Sequence, residues 1–367
     1  MTDIVAFSDA YLPTVNGVSY TLSTWAEQWN ENRNQMEVVY PNAKTYTSRS
    51  WEHPVASVSF PFYEGYRMSP PWIPQAVSVP DVVHIHSVFS LGLAGCFLAR
   101  KHNLPLVATY HTPMTKYAQY VAPGSRTTDL LKRVLERYER VILERADVVT
   151  TPSKATRSFL RNEIGITNQV EVVSNGIDLE LFGPVETNEF REEHQLSGVV
   201  VGYTGRHGVE KNIEAIFAAT EQLEQDVTVA IGGDGPHNEA LRKAAQRYDV
   251  EVRFFGFLPR EQLPSFYSAI DIFAFPSPVE TEGIVAMEAI ACGTPVVGIN
   301  AGALPETINT GETGHLYERG NIDSFTAALE TAISDLSNLR ESCLEHREAL
   351  GVERTLKTLA DLYDDIQ

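Results

Sequence analysis

The segment SPVETEGIVAMEAIACGTPVV, residues 277–297, decides the fold class. It follows a short apolar run at 272–275, contains a helix-forming stretch at 283–291 and ends in another apolar run at 296–298. Short apolar strands that alternate with helices are typical of a parallel sheet covered by helices on both faces. The segment is therefore predicted to be a β–α–β unit, with polar residues in the loop between its first strand and its helix.

The same alternation extends through both halves of the 367-residue chain. In the first half, strands are predicted at 4–8, 37–40, 82–85, 106–109, 148–151 and 170–174, and helices at 17–29, 90–101, 128–145 and 154–163. In the second half, strands are predicted at 199–203, 227–231, 252–255, 272–275 and 296–298, and helices at 212–223, 237–246, 260–268, 283–291 and 323–334. The polar, acidic segment 182–197 separates the two series.

This pattern predicts an α/β protein with two Rossmann-like, doubly wound domains that face each other across a cleft. The N-terminal domain is expected over 1–182 and the C-terminal domain over 183–350. A final helix over 351–367 is expected to cross back to the N-terminal domain. Ligands of such sheets bind outside the carboxyl ends of the strands, so the cleft is the predicted site.

The composition is that of a folded and strongly acidic protein. Acidic residues number 48 and basic residues 29, for a net charge of −19, so a nucleic acid is not an expected partner. With 8 Lys against 21 Arg, the balance suits a halophilic protein, although an ordinary acidic cytoplasmic protein has a similar balance. Three dispersed cysteines indicate neither disulfides nor zinc. The sequence has no visible signal peptide and no apolar span, which predicts a cytoplasmic location.

Two loops at strand-to-helix transitions carry residues suited to an anion. In YTGRHGVEKN, Arg206 and Lys211 follow a buried strand and precede a helix, where two cations can neutralise a diphosphate leaving group. In DAYLPTVNGVSYT, Asn16 and Gly17 precede a helix, and Gly17 allows a ligand to approach the backbone. The alternatives are a solvated loop with two surface charges and an ordinary Asn-Gly turn.

The opening segment adds two carboxylates in an extended arrangement. Glu288 lies eight residues after Glu280, so helix geometry prevents both from acting on one atom. They are instead suited to the two ends of a nucleotide diphosphate sugar, with Glu280 on the sugar and Glu288 on the ribose. The helix N-terminus at Gly283, Ile284 and Val285 would then meet the diphosphate. The alternative is a pair of solvated glutamates on a helix surface.

The motifs NGV, TYHT, SNGID, GRxxxEKN, GDGP and ETxGxxxxEAxACGTPVV, in this order, resemble the retaining GT-B glycosyltransferases of family 4, also called glycosyl transferases group 1. The resemblance extends from Asp9 to about Glu306. Within the family, the sequence is most similar to the branch that glycosylates membrane lipids, such as diacylglycerol glucosyltransferases and phosphatidylinositol mannosyltransferases. It implies that Arg206 and Lys211 bind the donor diphosphate.

The resemblance also assigns the remaining positions. It implies that Glu280 contacts the transferred sugar, that Glu288 holds the ribose and that the loop at Asn16 and Gly17 closes over the donor. It places His111 near the transferred sugar, so that the expected catalytic residues are His111, Glu280, Arg206 and Lys211. The alternative for His111 is a structural histidine.

Two further positions qualify this assignment. Of the two histidines in DVVHIHS, only His86 is expected to reach the cleft. Glu282 stands where many relatives have Phe or Gln, and we expect it to point away from the diphosphate.

The resemblance implies transfer of a hexose from a nucleotide diphosphate sugar of the UDP-glucose or GDP-mannose type, with retained anomeric configuration. No DxD motif stands at a strand end, so neither a metal nor another cofactor is expected, because Arg206 and Lys211 supply the positive charge. The expected acceptor is a hydroxyl of a membrane lipid. The alternatives are a soluble glycan or sugar phosphate as acceptor, and a nucleotide-sugar-binding protein without catalysis.

The stretch TDLLKRVLERYERVILER, residues 128–145, is the evidence for a lipid acceptor. Its apolar residues fall in one arc of a helix, and seven bases stand against four acids between Lys116 and Arg145. A basic amphipathic helix is typical of a surface that contacts anionic lipid, although a helix packed on its own sheet shows the same pattern. The predicted surface, peripheral on the inner face of the cell membrane, comprises Lys116, Arg126, Lys132, Arg133, Arg137 and Arg140.

Overall fold

The computed structural model describes residues 2–32, 35–60, 66–111 and 125–367. The chain forms two compact units. Unit 1 comprises Met1–Gly176 and Val352–Gln367, and unit 2 comprises Ile177–Gly351. The expected domain boundary after residue 182 therefore falls inside unit 2, and the C-terminal helix (Val352–Ile366) is part of unit 1.

Unit 1 is built on a parallel sheet, seven-stranded within the described residues. The strands of unit 1 are β1 (Ile4–Phe7), β2 (Met36–Pro41), β3 (Glu52–Val55), β4 (Val58–Ser59), β5 (Arg67–Met68), β6 (Val82–Ile85), β7 (Leu106–Thr109), β8 (Val148–Thr151) and β9 (Gln169–Val172). The sheet order is β3-β2-β1-β6-β7-β8-β9, and β4 and β5 form a separate antiparallel pair. The order reverses between β1 and β6, which is where α/β sheets bind ligands.

Helices cover both faces of this sheet. They are α1 (Gly17–Glu31), α2 (Ser90–His102), α3 (Ser125–Leu143), α4 (Lys154–Phe159) with a π-helical turn (Leu160–Ile164), and the C-terminal helix. Val5 and Phe7 of β1 pack in a core with α2, whereas Ile4 and Ala6 pack in a second core with α1 and the C-terminal helix. Adjacent strand residues point to opposite faces, so one short apolar strand supplies both cores.

Unit 2 repeats the arrangement with a six-stranded parallel sheet. Its strands are β10 (Val199–Thr204), β11 (Val227–Gly232), β12 (Glu251–Gly256), β13 (Ile272–Phe275), β14 (Val296–Ile299) and β15 (Gly314–Tyr317). The order is β12-β11-β10-β13-β14-β15, which reverses between β10 and β13. The predicted α/β class with parallel sheets is confirmed in both units.

The helices of unit 2 complete the alternation. They are α5 (Asn188–Glu193), α6 (Glu214–Thr220), α7 (Asn238–Ala245), α8 (Leu263–Ala269), α9 (Ile284–Ala291), α10 (Leu304–Thr307), α11 (Ile322–Ser334) and α12 (Leu336–His346), with 3-10 turns at Val209–Lys211, Arg260–Gln262 and Arg347–Leu350. They enclose one continuous core in which β10, β11, β13 and β14 are buried almost completely.

Candidate active site

The predicted site residues divide between the two units. In unit 2, β10 and β13 are hydrogen-bonded neighbours at the point where the strand order reverses. The loop after β10 carries Arg206 and Lys211, and the loop after β13 carries Glu280. Because the strands are parallel, both loops start at the same edge of the sheet.

The structure brings two of these residues into direct contact. Nζ of Lys211 lies 2.6 Å from Oε1 of Glu280, and both side chains are mostly buried. Arg206 forms an ion pair with Glu210, four residues further along the loop, a residue that the sequence analysis did not single out. Both carboxylates act on the buried Tyr203: burial is the main reason that the pKa of its phenol is raised, and the charges of Glu280 and Glu210 raise it further.

The glycines of the GGDG turn allow the loop after β11 to pack on the loop after β10. A Cβ on Gly233 would lie 2.0 Å from the carbonyl oxygen of Gly205, and one on Gly235 would lie 2.6 Å from that of His207. Both glycines have positive φ, of 102° and 157°. These positions therefore require glycine so that the Arg206 loop keeps its shape.

Gly283 forms the N-terminal boundary of α9, and it also requires glycine. Its φ of 95° is left-handed, and a Cβ there would lie 2.8 Å from Cδ2 of Leu304. Gly283, the N-cap residue of α9, has no side chain that could cap the helix. The first-turn amides, which include those of Ile284 and Val285, therefore remain suited to an anion.

Glu288 is buried inside unit 2 and is not a solvated surface glutamate. Glu288 is 7% exposed, and the hydroxyl of Tyr267 donates a hydrogen bond to its Oε2 at 2.7 Å. Burial raises the pKa of its carboxyl from 4.5 to about 7, against smaller opposing effects from the Tyr267 hydrogen bond and the Arg260 charge. No sequence pattern indicated Tyr267 as a partner of Glu288, from which it lies 21 residues away. Glu282, the departure from the family pattern, is also almost fully buried.

In unit 1, Asn16 and Gly17 begin α1. Oδ1 of Asn16 accepts from the backbone N–H of Ser19 at 2.9 Å, so Asn16 is the N-cap and Gly17 is the first helical residue. Asp9 serves α2 in a similar way, because its carboxylate accepts from Ser90 Oγ and from the amide of Leu91. Burial raises the pKa of Asp9. Whether Asn16 and Gly17 contact a donor stays a prediction.

His111 is buried beside two other histidines. Its Nε2 lies 3.0 Å from Nδ1 of His86, and the His86 ring packs against the His84 ring with centroids 4.1 Å apart and planes tilted by 34°. Burial lowers the pKa of His111 to about 4. His86, which was expected to reach the cleft, lies next to His111. His84 belongs to the same cluster of rings.

The basic surface predicted on 128–145 corresponds to α3. Lys132, Arg133, Arg137 and Arg140 lie on this helix, Arg140 pairs with Glu144 at 3.0 Å, Lys116 lies outside the described residues and the side chain of Arg126 is not described. The predicted apolar arc of this helix is buried in one part and exposed in another. Ile142 is buried, whereas Leu130, Val134 and Val141 are 64%, 56% and 46% exposed.

Two features are absent from the described part of the chain. None of its helices combines the length and apolar character that crossing a membrane requires. It also contains no group of three or more His, Cys, Asp or Glu side chains that could hold a metal ion.

A parallel α/β sheet whose reversal point carries cations, glycine turns and a helix N-terminus is the arrangement of a nucleotide-binding protein. Residues 185–349 match the model for glycosyl transferases group 1, and residues 15–181 match the model for glycosyltransferase family 4. The chain belongs to this glycosyltransferase family. The family predicted from the sequence motifs is confirmed, and the protein is a GT-B glycosyltransferase that uses a nucleotide-sugar donor.

Similar proteins act on several acceptors. Alpha-monoglucosyldiacylglycerol synthase of Streptococcus pneumoniae is 27% identical over 98% of this chain and 85% of its own. D-inositol 3-phosphate glycosyltransferase of Kribbella flavida is 30% identical over 77% of this chain and 70% of its own. Among solved structures, sucrose-phosphate synthase of Thermosynechococcus elongatus has a TM-score of 0.78 at 23% identity, covering 99% of this chain and 98% of that one. Anabaena HepE, in complex with UDP-glucose, has a TM-score of 0.74 at 18% identity, covering 99% of each chain.

Proposed function

We propose that the protein transfers a hexose from a donor of the UDP-glucose or GDP-mannose type to a hydroxyl of a membrane lipid, with retained anomeric configuration. The use of this donor is supported by the contact between Lys211 and Glu280, at the point where the strand order of the unit 2 sheet reverses. One cation for a phosphate and one carboxylate for sugar hydroxyls lie there within a single hydrogen bond of each other.

In this proposal, Lys211 and Arg206 exchange their carboxylate partners for the diphosphate when the donor binds. In the structure, Lys211 is held by Glu280 and Arg206 is paired with Glu210. A diphosphate carries more negative charge than either carboxylate, so it draws both cations to itself and leaves Glu280 to accept from the sugar hydroxyls. The cations and the N-terminus of α9 then stabilise the charge that develops on the leaving diphosphate, which is the role that a metal ion has in other transferases.

Glu288 is proposed to hold the ribose. Its hydrogen bond from Tyr267 fixes one oxygen, so the carboxyl is oriented before a ligand arrives. A raised pKa keeps much of this group protonated at neutral pH in the free protein. Either protonation state can bond a ribose hydroxyl, since a carboxylic acid both donates and accepts.

The observation that supports a lipid acceptor is the exposed stripe on α3. Leu130, Val134 and Val141 follow helical spacing with Arg137 between them. The chain as a whole is strongly acidic, so a basic stripe with exposed apolar side chains is a local exception suited to anionic lipid. The similarity to alpha-monoglucosyldiacylglycerol synthase supports the same acceptor class.

A soluble sugar phosphate is the second candidate acceptor, supported by the 30% identity to D-inositol 3-phosphate glycosyltransferase. The deciding experiment supplies UDP-glucose or GDP-mannose, at low and high salt, with either anionic vesicles that contain diacylglycerol or soluble inositol phosphate. Product mass gives the acceptor, and the anomeric coupling in the product's NMR spectrum gives the stereochemistry. Transfer to inositol phosphate alone would exclude the lipid acceptor, and an inverted product would exclude retention.

Vesicle flotation tests the α3 stripe directly. Val134→Glu places a charge in the stripe and should abolish flotation with anionic vesicles, whereas Val185→Glu, at an exposed valine of unit 2, should leave it unchanged. Binding should weaken as salt rises, since the basic residues act through screened charges. Equal flotation of both variants would show that α3 does not contact the membrane.

A further inference from the structure

The histidine stack of unit 1 contains a ring nitrogen with no use in the fold. Nε2 of His86 is buried and has no hydrogen-bond partner among the described residues. The other ring nitrogen of His86, Nδ1, lies 3.0 Å from Nε2 of His111. The two rings are nearly parallel, at 19°, with centroids 5.3 Å apart.

The ring of His86 is held firmly on its other side. It packs against the tilted ring of His84, whose Nδ1 lies 2.7 Å from the Tyr363 hydroxyl and whose Nε2 lies 2.6 Å from Oγ1 of Thr109. Trp25 packs edge-on against His86 with centroids 5.6 Å apart. Both nitrogens of His84 are therefore used, and His86 lies between a fixed ring and His111.

Both rings of the His86–His111 bond are neutral at physiological pH. Burial lowers the pKa of His111 to about 4, and burial together with its two histidine neighbours lowers the pKa of His86 well below 6.5. The shared bond therefore contains one hydrogen, and only two arrangements exist. Either His86 donates from Nδ1 and leaves its Nε2 bare, or His111 donates from Nε2 and His86 carries a hydrogen on its buried Nε2.

The second arrangement is the costly one. It buries an N–H donor without an acceptor, whereas the first leaves only an unused lone pair, and orphaned buried donors are the rarer defect in proteins. In the first arrangement His111 accepts at Nε2, so its own hydrogen must be on Nδ1.

We propose that His86 is a positioning residue for His111: it donates from Nδ1 to Nε2 of His111, and His111 therefore offers an Nδ1–H donor, not a lone pair, to its ligand. This arrangement makes His111 a hydrogen-bond donor to a ligand oxygen and excludes it as a general base through Nδ1. The tautomer rests on unit 1 alone, and only the identity of the ligand oxygen as one from the donor sugar rests on the proposed function.

Nitrogen-15 NMR of histidine-labelled protein tests the tautomers without any substrate, because protonated and bare ring nitrogens resonate far apart. We expect the Nδ1–H form for both His86 and His111, assigned from spectra of variants at each position. An Nε2–H form at either residue would overturn the inference. His102→Asn, at an exposed position on α2, is the matched control and should change no other resonance.

Two substitutions separate positioning from packing. His86→Asn keeps an N–H near the position of Nδ1 and should preserve the His111 tautomer and most of kcat. His86→Leu removes the donor, so the Nε2 resonance of His111 should move because its lone pair no longer accepts a hydrogen bond, and kcat should fall about tenfold, with the donor KM within about twofold. An equal loss in both variants, or an unchanged His111 spectrum in His86→Leu, would refute positioning. If the wild type turned over no nucleotide sugar, the proposed function would fail while the spectra still decided the tautomer.

Discussion

Glu288 makes the free protein less stable as the pH rises, and Glu288→Gln should remove that dependence. The folded carboxyl has a pKa of about 7, while the reference value is 4.5. Between these values the folded state keeps a proton that the unfolded state has lost. Stability from this group is therefore full below pH 4.5 and is lost as the pH rises through 7.

The size of the effect follows from the two pKa values. Each tenfold change in proton affinity is worth about 1.4 kcal/mol, so the charged Glu288 costs the folded state about 3 kcal/mol at pH 8 and less than about 1 kcal/mol at pH 5. Gln has nearly the same volume and can still accept from Tyr267. The stability gain of Glu288→Gln over the wild type should thus be about 2 kcal/mol larger at pH 8 than at pH 5, whatever constant cost the amide brings.

Urea unfolding at the two pH values measures this difference, and the transition of unit 2 is the one to follow. In thermal melts at pH 8 the same gain corresponds to a rise of roughly 4–8 °C in that transition. Glu239→Gln, at an exposed glutamate of α7, is the control and should show no comparable pH dependence. A stability difference that is the same at pH 5 and pH 8 would show that Glu288 does not titrate in this range and refute the reasoning.

Three further predictions concern the donor site. Lys211→Met should lower the transfer rate about 100-fold or more in a steady-state product assay, because it removes a cation from the leaving diphosphate, whereas the exposed Lys243→Met should have no effect. Glu280→Gln should tighten binding of UDP itself about threefold or more by calorimetry while transfer falls, since Lys211 is released from its ion pair; weaker UDP binding would contradict the proposed exchange of partners. Gly283→Ala should lower the free energy of unfolding by about 1–3 kcal/mol, because its φ of 95° and the nearby Leu304 resist a Cβ, and an unchanged urea midpoint would contradict this.

The sequence predicts the position of the donor loops better than their contacts. The strand β13 is fully apolar and β10 is apolar up to Thr204, so the loops after them could be located in the sequence, and Lys211 and Glu280 were both expected at one site. Their 2.6 Å ion pair joins residues 69 positions apart and depends on side-chain conformations that no local pattern encodes. The Arg206–Glu210 pair lies in the loop after β10, where four-residue spacing does not predict a side-chain contact as it does on a helix.

The strands that the sequence analysis missed lie at sheet edges. β3 contains Glu52, His53 and Pro54, and β15 begins with Gly314 at a φ of 148°. An edge strand pairs on one side only and tolerates charged residues and proline, so it shows no continuous apolar run. The exposure of Val134 and Val141 was unpredictable for a related reason, because an amphipathic pattern does not say which part of the apolar arc the rest of the fold covers.

The C-terminal helix has a consequence for the order in which the protein is made. Leu359 and Tyr363 are fully buried in a core of unit 1, yet they are synthesised after all of unit 2, and Tyr363 hydrogen-bonds His84 from 279 positions away. Unit 2 is one continuous stretch, Ile177–Gly351, so all of it is synthesised before the C-terminal helix that completes unit 1. Unit 1, most of which is translated first, is therefore completed after unit 2, and its histidine stack is assembled only once the C-terminal helix has been synthesised.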